Sequence, residues 1–289
     1  MNNIKTAVLL GFLGALFVGL GFLLGGAQGG LFALGFAVLF NFGMYFFSDK
    51  IALKSTKARP VSASELPDVY SIVSSLAQRE NIPMPQLYLI DSPQPNAFAT
   101  GRSPKKAAVA VTTGILDLLD QRELEGVLAH ELAHVKNRDV LIATVAATIG
   151  AALSFLARMA FWSNLGGRRN NSNGITAIVG IVAMILAPLA AAVIQMAISR
   201  SREFEADHDG AESTGSPLAL ASALRKIAVG TARIPMDVNP AVSQLFIADP
   251  LKAFGTRGRR GQLGKMFSTH PSTEERIARL EKQAYGIVS

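Results

Sequence analysis

Between Lys5 and Asp49 the chain carries no charged side chain, and the same is true from Asn170 to Ser199. Nothing else in the sequence restricts the fold as tightly. A helix that crosses a bilayer needs about 20 consecutive, mostly apolar residues, and the first block is long enough for two of them. The sequence GGAQGG, Gly25 to Gly30, is the turn between them. Val140 to Ala157 supplies a third candidate span and Ile175 to Ile198 a fourth. A cleaved signal peptide is shorter and is not followed by a second apolar segment, so the first block reads as a retained membrane hairpin. Gly21 and Gly25 within it have the spacing that lets helices approach closely in lipid.

The net charge of +7 could suit nucleic acid, but the basic residues gather beside the apolar blocks: Lys5, Lys50, Lys54, Lys57, Arg59, Lys136, Arg138, Arg200 and Arg202. That distribution follows the positive-inside rule and makes the lipid bilayer, with its anionic headgroups, the expected partner. Both termini and both polar segments then face the cytoplasm, with Gly25 to Gly30 and Trp162 to Gly174 outside. Arg158, Arg168 and Arg169 oppose this at the outer end of the second hairpin. Either the inner charges outvote them or that hairpin is shallow. The chain has no cysteine, which excludes disulfides, thiol nucleophiles and cysteine-held metals together. Any metal must sit on nitrogen and oxygen.

Four parts follow in order: an N-terminal transmembrane hairpin (1–49), the first part of a cytoplasmic domain (50–139), a second transmembrane hairpin (140–199), and the second part of that domain (200–289). From Ser62 to Asn81, Leu66, Val69, Val73 and Leu76 recur at helical spacing until Pro83 and Pro85 break the pattern. QLYLI, NAFAT and AAVAVTT read as strands of a small antiparallel or mixed sheet. A helix starts near Asp120, with Glu123 in capping-box position. Ile234 to Lys265, with its prolines and the GTRGRRGQ stretch, reads as a mobile loop. STEERIARLEKQA closes the chain as an amphipathic helix. The class is an α+β membrane protein.

The chemistry concentrates in HELAH, on the helix that leads into the third span. Residues four apart share a helix face, so His130 and His134 can aim at one point, with Glu131 close enough to reach a water there. This is the H-E-x-x-H arrangement. Zinc held by two histidines and one more protein ligand keeps a position open for water, whose pKa falls to about 7. Glu131 then serves as the general base and passes the proton to the leaving amine. SREFEAD supplies the missing ligand: Glu203 and Asp207 share a face, and Glu205, the competing choice, points away. Asp207 is placed to accept the free N–H of a ligating histidine and so fix its tautomer. The second hairpin explains how residues so far apart in sequence meet, because its two cytoplasmic ends must be neighbours.

His270 precedes a proline and a helix start and could donate to a developing oxyanion, with Arg276 as support. Asn96, Ala97 and Phe98 open an edge strand that could pair with an extended substrate. His208 reads as a surface residue.

Together these residues resemble the HtpX family of membrane-bound zinc metallopeptidases, relatives of the CAAX prenyl endopeptidases. The likeness runs through NAFATG, HELAHVKNRD, EFEAD and THPSTEERIARL in their order and spacing. It implies a mostly helical, zincin-like protease domain with a small sheet, one zinc ion on His130, His134 and Glu203, Glu131 as base, and Asp207 behind the ligands. It also implies an active-site role for His270 and supports the edge-strand role at Asn96. The implied work is endoproteolysis of membrane or misfolded polypeptides in bacterial inner-membrane quality control and stress response. Two other classes compete. A membrane scaffold with a structural metal would have no need of Glu131, and a transporter would want ionisable residues inside its spans. Cobalt or manganese could use the same ligands.

Overall fold

Gly25 and Gly26 decide the shape of the N-terminal block. In this computed structural model, which describes residues 2–149, 200–239, 242–254 and 271–286, helix α1 (Asn2–Ser55) leaves helical geometry only there, with Gly26 at φ 58° and ψ −147°. A side chain would resist that positive φ. The two arms fold back on each other. Asn41 Nδ2 donates to the Leu10 carbonyl at 2.9 Å, and Phe17 meets Phe36 and Phe40 edge-on at 5.3 and 5.4 Å. A Cβ on Gly21 would lie 2.5 Å from the carbonyl oxygen of Gly29, whereas Gly25 has nothing within 4 Å. Close approach therefore uses Gly21 with Gly29, and Gly25 serves the turn instead of the packing face its spacing suggests. The segment Gly25–Ser55 is long and apolar enough to cross a membrane.

The three expected strands form: β2 (Gln86–Ile90), β3 (Ala97–Gly101) and β4 (Ala107–Thr112). A two-residue strand, β1 (Arg59–Pro60), is too short to leave a periodic signal. The sheet order is β1-β2-β4-β3, mixed, with β2 parallel and β3 antiparallel to β4. β3 is thus an edge. Helix α2 (Pro67–Arg79) starts on a proline and buries Val69, Ile72, Val73 and Leu76. After the short α3 (Thr113–Leu118) comes the central helix α4 (Gln121–Lys136), opened by the Asp120–Glu123 capping box with both hydrogen bonds at 3.0 Å.

Helix α4 stops at Asn137–Arg138, where Arg138 takes φ 59°, and α5 (Asp139–Ile149) sets out from that turn. Three more helices follow: α6 (Arg200–Thr214), α7 (Pro217–Arg233) and α8 (Thr273–Ala284). Helix α4 packs against β3, α2, α6 and α7, which buries Leu128 and Leu132 completely. Glu123 also accepts from Ser222 Oγ at 2.7 Å and Lys226 Nζ at 2.6 Å, tying α7 to the start of α4.

The expectation of a mobile loop over 234–265 is corrected for its described middle. Phe246 is fully buried against Phe98 at 4.9 Å between ring centroids, the Ile247 N–H donates to the Ala97 carbonyl at 2.9 Å, and Gln94 Nε2 donates to the Pro250 carbonyl at 2.9 Å. Apolar burial and backbone pairing hold 242–251 as a strap along β3. The fourth span, Trp162–Gly174, Arg158, Arg168, Arg169 and His270 lie outside the described residues, as does the second hairpin beyond Ile149.

Candidate metal centre

Helix α6 reaches the histidines because of one glycine. A Cβ on Gly210 would lie 2.8 Å from the backbone nitrogen of His130 and 3.0 Å from its Cα, so no larger residue permits this crossing of α4. Glu203 and Asp207 precede Gly210 by two turns and one turn on the same helix face, and both are buried. The crossing sets them against the imidazoles. His130, His134 and Glu203 each offer a ligand atom, all within 4.8 Å of one another, with His134 Nε2 3.5 Å from Glu203 Oε1.

Each imidazole presents its Nδ1 to a carboxylate. His130 Nδ1–H donates to Asp207 Oδ1 at 2.9 Å, and His134 Nδ1 faces Asp139 Oδ2 at 3.4 Å. These partners select the tautomer whose Nε2 keeps a lone pair. Two such nitrogens and a carboxylate are the donor set of a hydrolytic divalent ion, so the residues present fit the metal.

Both carboxylates are themselves held by arginines. Arg276 donates to Asp207 through Nε at 2.8 Å and Nη2 at 2.7 Å, and its Nη1 donates to the Ile247 carbonyl at 3.0 Å. Arg202 Nη1 lies 3.5 Å from Asp139 Oδ1. Burial alone would raise the Asp207 pKa, but Arg276 and His130 outweigh it and hold the carboxyl down at about 2. For His134 burial acts the other way, lowering the pKa, yet Asp139, Glu203 and Glu131 lift it to about 9.

Glu131 is buried and is not one of the three clustered ligand residues; its Oε2 accepts the backbone N–H of Ala99 at 2.7 Å. Burial pushes its carboxyl pKa up, with Glu203 adding to the rise. Ala99 lies on the free edge of β3, since its outward N–H meets Glu131 and not β4. A cleft with about 510 Å³ of free space opens beside these groups, walled by Val140, Ala143, Leu245, Phe246 and Ile247.

The structure brings His130, Glu131, His134, Glu203 and Asp207 into one centre. Glu205 and His208 are exposed, and His208 pairs loosely with Glu212 at 3.9 Å. Arg276 sits buried on Asp207; His270, which it is expected to support, lies outside the described residues. Asn96, Ala97 and Phe98 do open the edge strand, but their side chains are fully buried. Asn96 clamps Ala248, donating from Nδ2 to its carbonyl at 2.8 Å, and Phe98 packs on Phe246. Pairing at this edge is therefore a matter for the backbone of Ala99. Asp139, Arg202, Gly210 and the 244–247 wall escaped the sequence reading. The apolar run Leu245, Phe246, Ile247 was the one signal that could have revealed the wall.

The family model of peptidase family M48 matches residues 63–284. A protease HtpX homolog of Thermodesulfovibrio yellowstonii is 53% identical over 286 residues, covering 98% of this chain and 99% of its own. One from Methylibium petroleiphilum is 52% identical over 282 residues, covering 96% of each. Among solved structures, the crystal structure of S. mikatae Ste24p is similar in fold, with a TM-score of 0.51 at 20% identity over 96% of this chain. The chain spans 65% of that protein's length.

Proposed function

The chain belongs to peptidase family M48 and is a metallopeptidase of the HtpX type; from that premise we propose a zinc endopeptidase working on membrane or misfolded polypeptides at the cytoplasmic face of a bacterial inner membrane. His130, His134 and Glu203 hold the ion and Glu131 is the base. One observation carries the reading: two imidazoles and a carboxylate converge within 4.8 Å, and beside them a buried carboxylate remains that the coordination does not need. A bound divalent ion supplies Lewis acidity, lowering the pKa of water to about 7 and polarising a carbonyl.

The rest is supplied by the chain. Burial makes Glu131 a stronger base than a solvated carboxylate, able to take a proton from the attacking water and return it to the leaving amine. The Ala99 N–H fixes its carboxylate. The carbonyl of Ala99 and its neighbours on the β3 edge pair with an extended substrate, while Asn96, Ala97 and Phe98 keep that edge straight from behind. Asp207 and Asp139 orient the imidazoles. His270 donates to the oxyanion. Val140, Ala143 and Phe246 keep bulk water from the reacting centre.

Residues 1–49 and 140–199 form two transmembrane hairpins, and 50–139 with 200–289 form the two halves of one zincin-like domain with both termini in the cytoplasm. The antiparallel arms of α1 and the packing of α4 on α6 support that arrangement. The test is casein cleavage by the purified full chain, by Glu131→Gln, and after chelation and zinc return. Glu131→Gln should keep its zinc and lose cleavage by at least about a hundredfold. Undiminished cleavage by a zinc-loaded Glu131→Gln protein would refute the mechanism, whereas zinc-loaded wild type that cleaves nothing would leave the scaffold reading standing.

A further inference from the structure

Between the end of β3 and the start of α5 lies a second groove, apart from the metal cleft, lined by Gly101, Arg102, Ser103, Arg138, Val140 and Leu141. The groove is small and open to solvent. We propose that this groove binds the phosphate of an anionic phospholipid headgroup, with Arg102 and Arg138 as the donors. The inference rests on the reading of α1 as membrane-inserted.

Charge is the first argument. Arg102 and Arg138 have no carboxylate partner among the described residues, and neither have Lys105 and Lys106 on the turn that Arg102 begins. Two guanidiniums lining one small groove repel unless an anion joins them. The planar guanidinium fork matches phosphate oxygens in pairs.

Place is the second. The Arg102 guanidinium lies over the Phe46 ring, 4.8 Å from its centroid. Phe46 belongs to a run of exposed rings, Phe42, Tyr45, Phe46 and Phe47, near the end of the apolar segment Gly25–Ser55. Tyr45, an exposed tyrosine at the end of the span, sits at headgroup level, and Phe46 meets it edge-on at 5.0 Å, so an arginine stacked on Phe46 reaches the same layer with its charge. The opposite wall, Val140 and Leu141, begins the apolar helix α5, both side chains being buried. The exposed rings of α1 are the apolar surface beside the groove for the acyl chains of a bound lipid. A nucleic acid or an acidic peptide would leave those rings against water, so lipid is the better match.

Position also gives the groove a consequence. Arg138, at φ 59°, forms the two-residue turn between α4 and Asp139. Asp139 faces His134. A phosphate that joins Arg138 to Arg102 braces the turn that aims Asp139, and so transmits membrane charge to the metal centre.

The test uses the full chain in neutral detergent, titrated with phosphatidylglycerol or phosphatidylcholine and read by native mass spectrometry. Wild type should retain phosphatidylglycerol in preference. Arg102→Gln with Arg138→Asn, asparagine being at ease with positive φ, should weaken it about twenty-five-fold, about fivefold per arginine. Arg122→Gln with Arg233→Gln, both exposed and away from the groove and the apolar segments, removes the same charge and should stay within about twofold of wild type. Zinc content checks that each variant is folded. Equal weakening in both double variants, or no preference in wild type, would overturn the groove. Extraction of the chain from membranes by alkaline carbonate would instead overturn the membrane reading; a chain that stays in the pellet yet shows no preference overturns the groove alone.

Discussion

Gly210→Ala isolates the helix crossing that assembles the metal centre. The new methyl would start 2.8 Å from the His130 backbone nitrogen, and ordinary contact begins at 3.4 Å, so α6 must retreat by about 0.6 Å. The atom in the way is helix backbone and cannot swing aside. Metal–ligand distances tolerate only about ±0.2 Å, so the shift carries Glu203 and Asp207 out of register together. Helix propensity favours alanine by about 1 kcal/mol and overpacking costs about 1–3 kcal/mol, so net stability should fall by no more than about 2 kcal/mol. Zinc affinity, measured by competition with a chelator, should fall about 10–100-fold. Val73→Ala, in the core of α2, is the control: it should lose about 2 kcal/mol in denaturant unfolding with zinc affinity unchanged. A Gly210→Ala protein that binds zinc within twofold of wild type would refute the reasoning, because Glu203 would then be absorbing the displacement.

Arg276→Met leaves the Asp207 carboxylate buried without its guanidinium, and denaturant unfolding should show a loss of about 3–5 kcal/mol. Asp139→Asn weakens the hold on His134 and should cost about tenfold in zinc affinity by chelator competition, with cleavage restored at high zinc. In the metal-free protein, burial would lower the His134 pKa but Asp139, Glu203 and Glu131 raise it from 6.5 to about 9. Zinc must displace that proton, so affinity should rise about tenfold from pH 7 to 8, level off above pH 9, and release close to one proton per ion by calorimetry at pH 7. For the same reason His134 stabilises the metal-free fold below pH 6.5, and thermal unfolding should show that contribution lost as pH rises through about 9.

The parts legible in the sequence are those whose signal is local. His130 and His134 declare themselves by spacing on one helix, the Asp120–Glu123 cap by its box, and β2 to β4 by apolar runs between prolines and glycines. Glu203 was reachable through the hairpin logic because a charge-free segment leaves two ends to be joined. Residues whose role depends on a partner elsewhere were not. Asp139 lies five positions beyond His134, off the helical repeat, and only the positive φ of Arg138 swings it back. Gly210 reads as a weak point in a helix until its neighbour is known. Nearness to His270 places Arg276 in the site, but its hold on Asp207 shows only in the fold, where it and Leu280, one turn on, form the buried face of α8.

The arginines behind the ligands bear on why the centre wants an ion at all. Its carboxylates are Glu131, Asp139, Glu203 and Asp207, and its guanidiniums are Arg202 and Arg276. Four against two leaves a formal charge of −2 in a place where each unbalanced buried ion costs several kcal/mol. Without metal, protons must absorb the imbalance: the surrounding carboxylates lift the His134 pKa against the effect of burial, while burial raises that of Glu131, with Glu203 adding to it. A dication cancels −2 outright and frees Glu131 to be an unprotonated base. The same two arginines that orient the ligands therefore also set the charge the site can accept: a third would have made a divalent ion surplus, and one fewer would have made even the loaded centre too negative to bury.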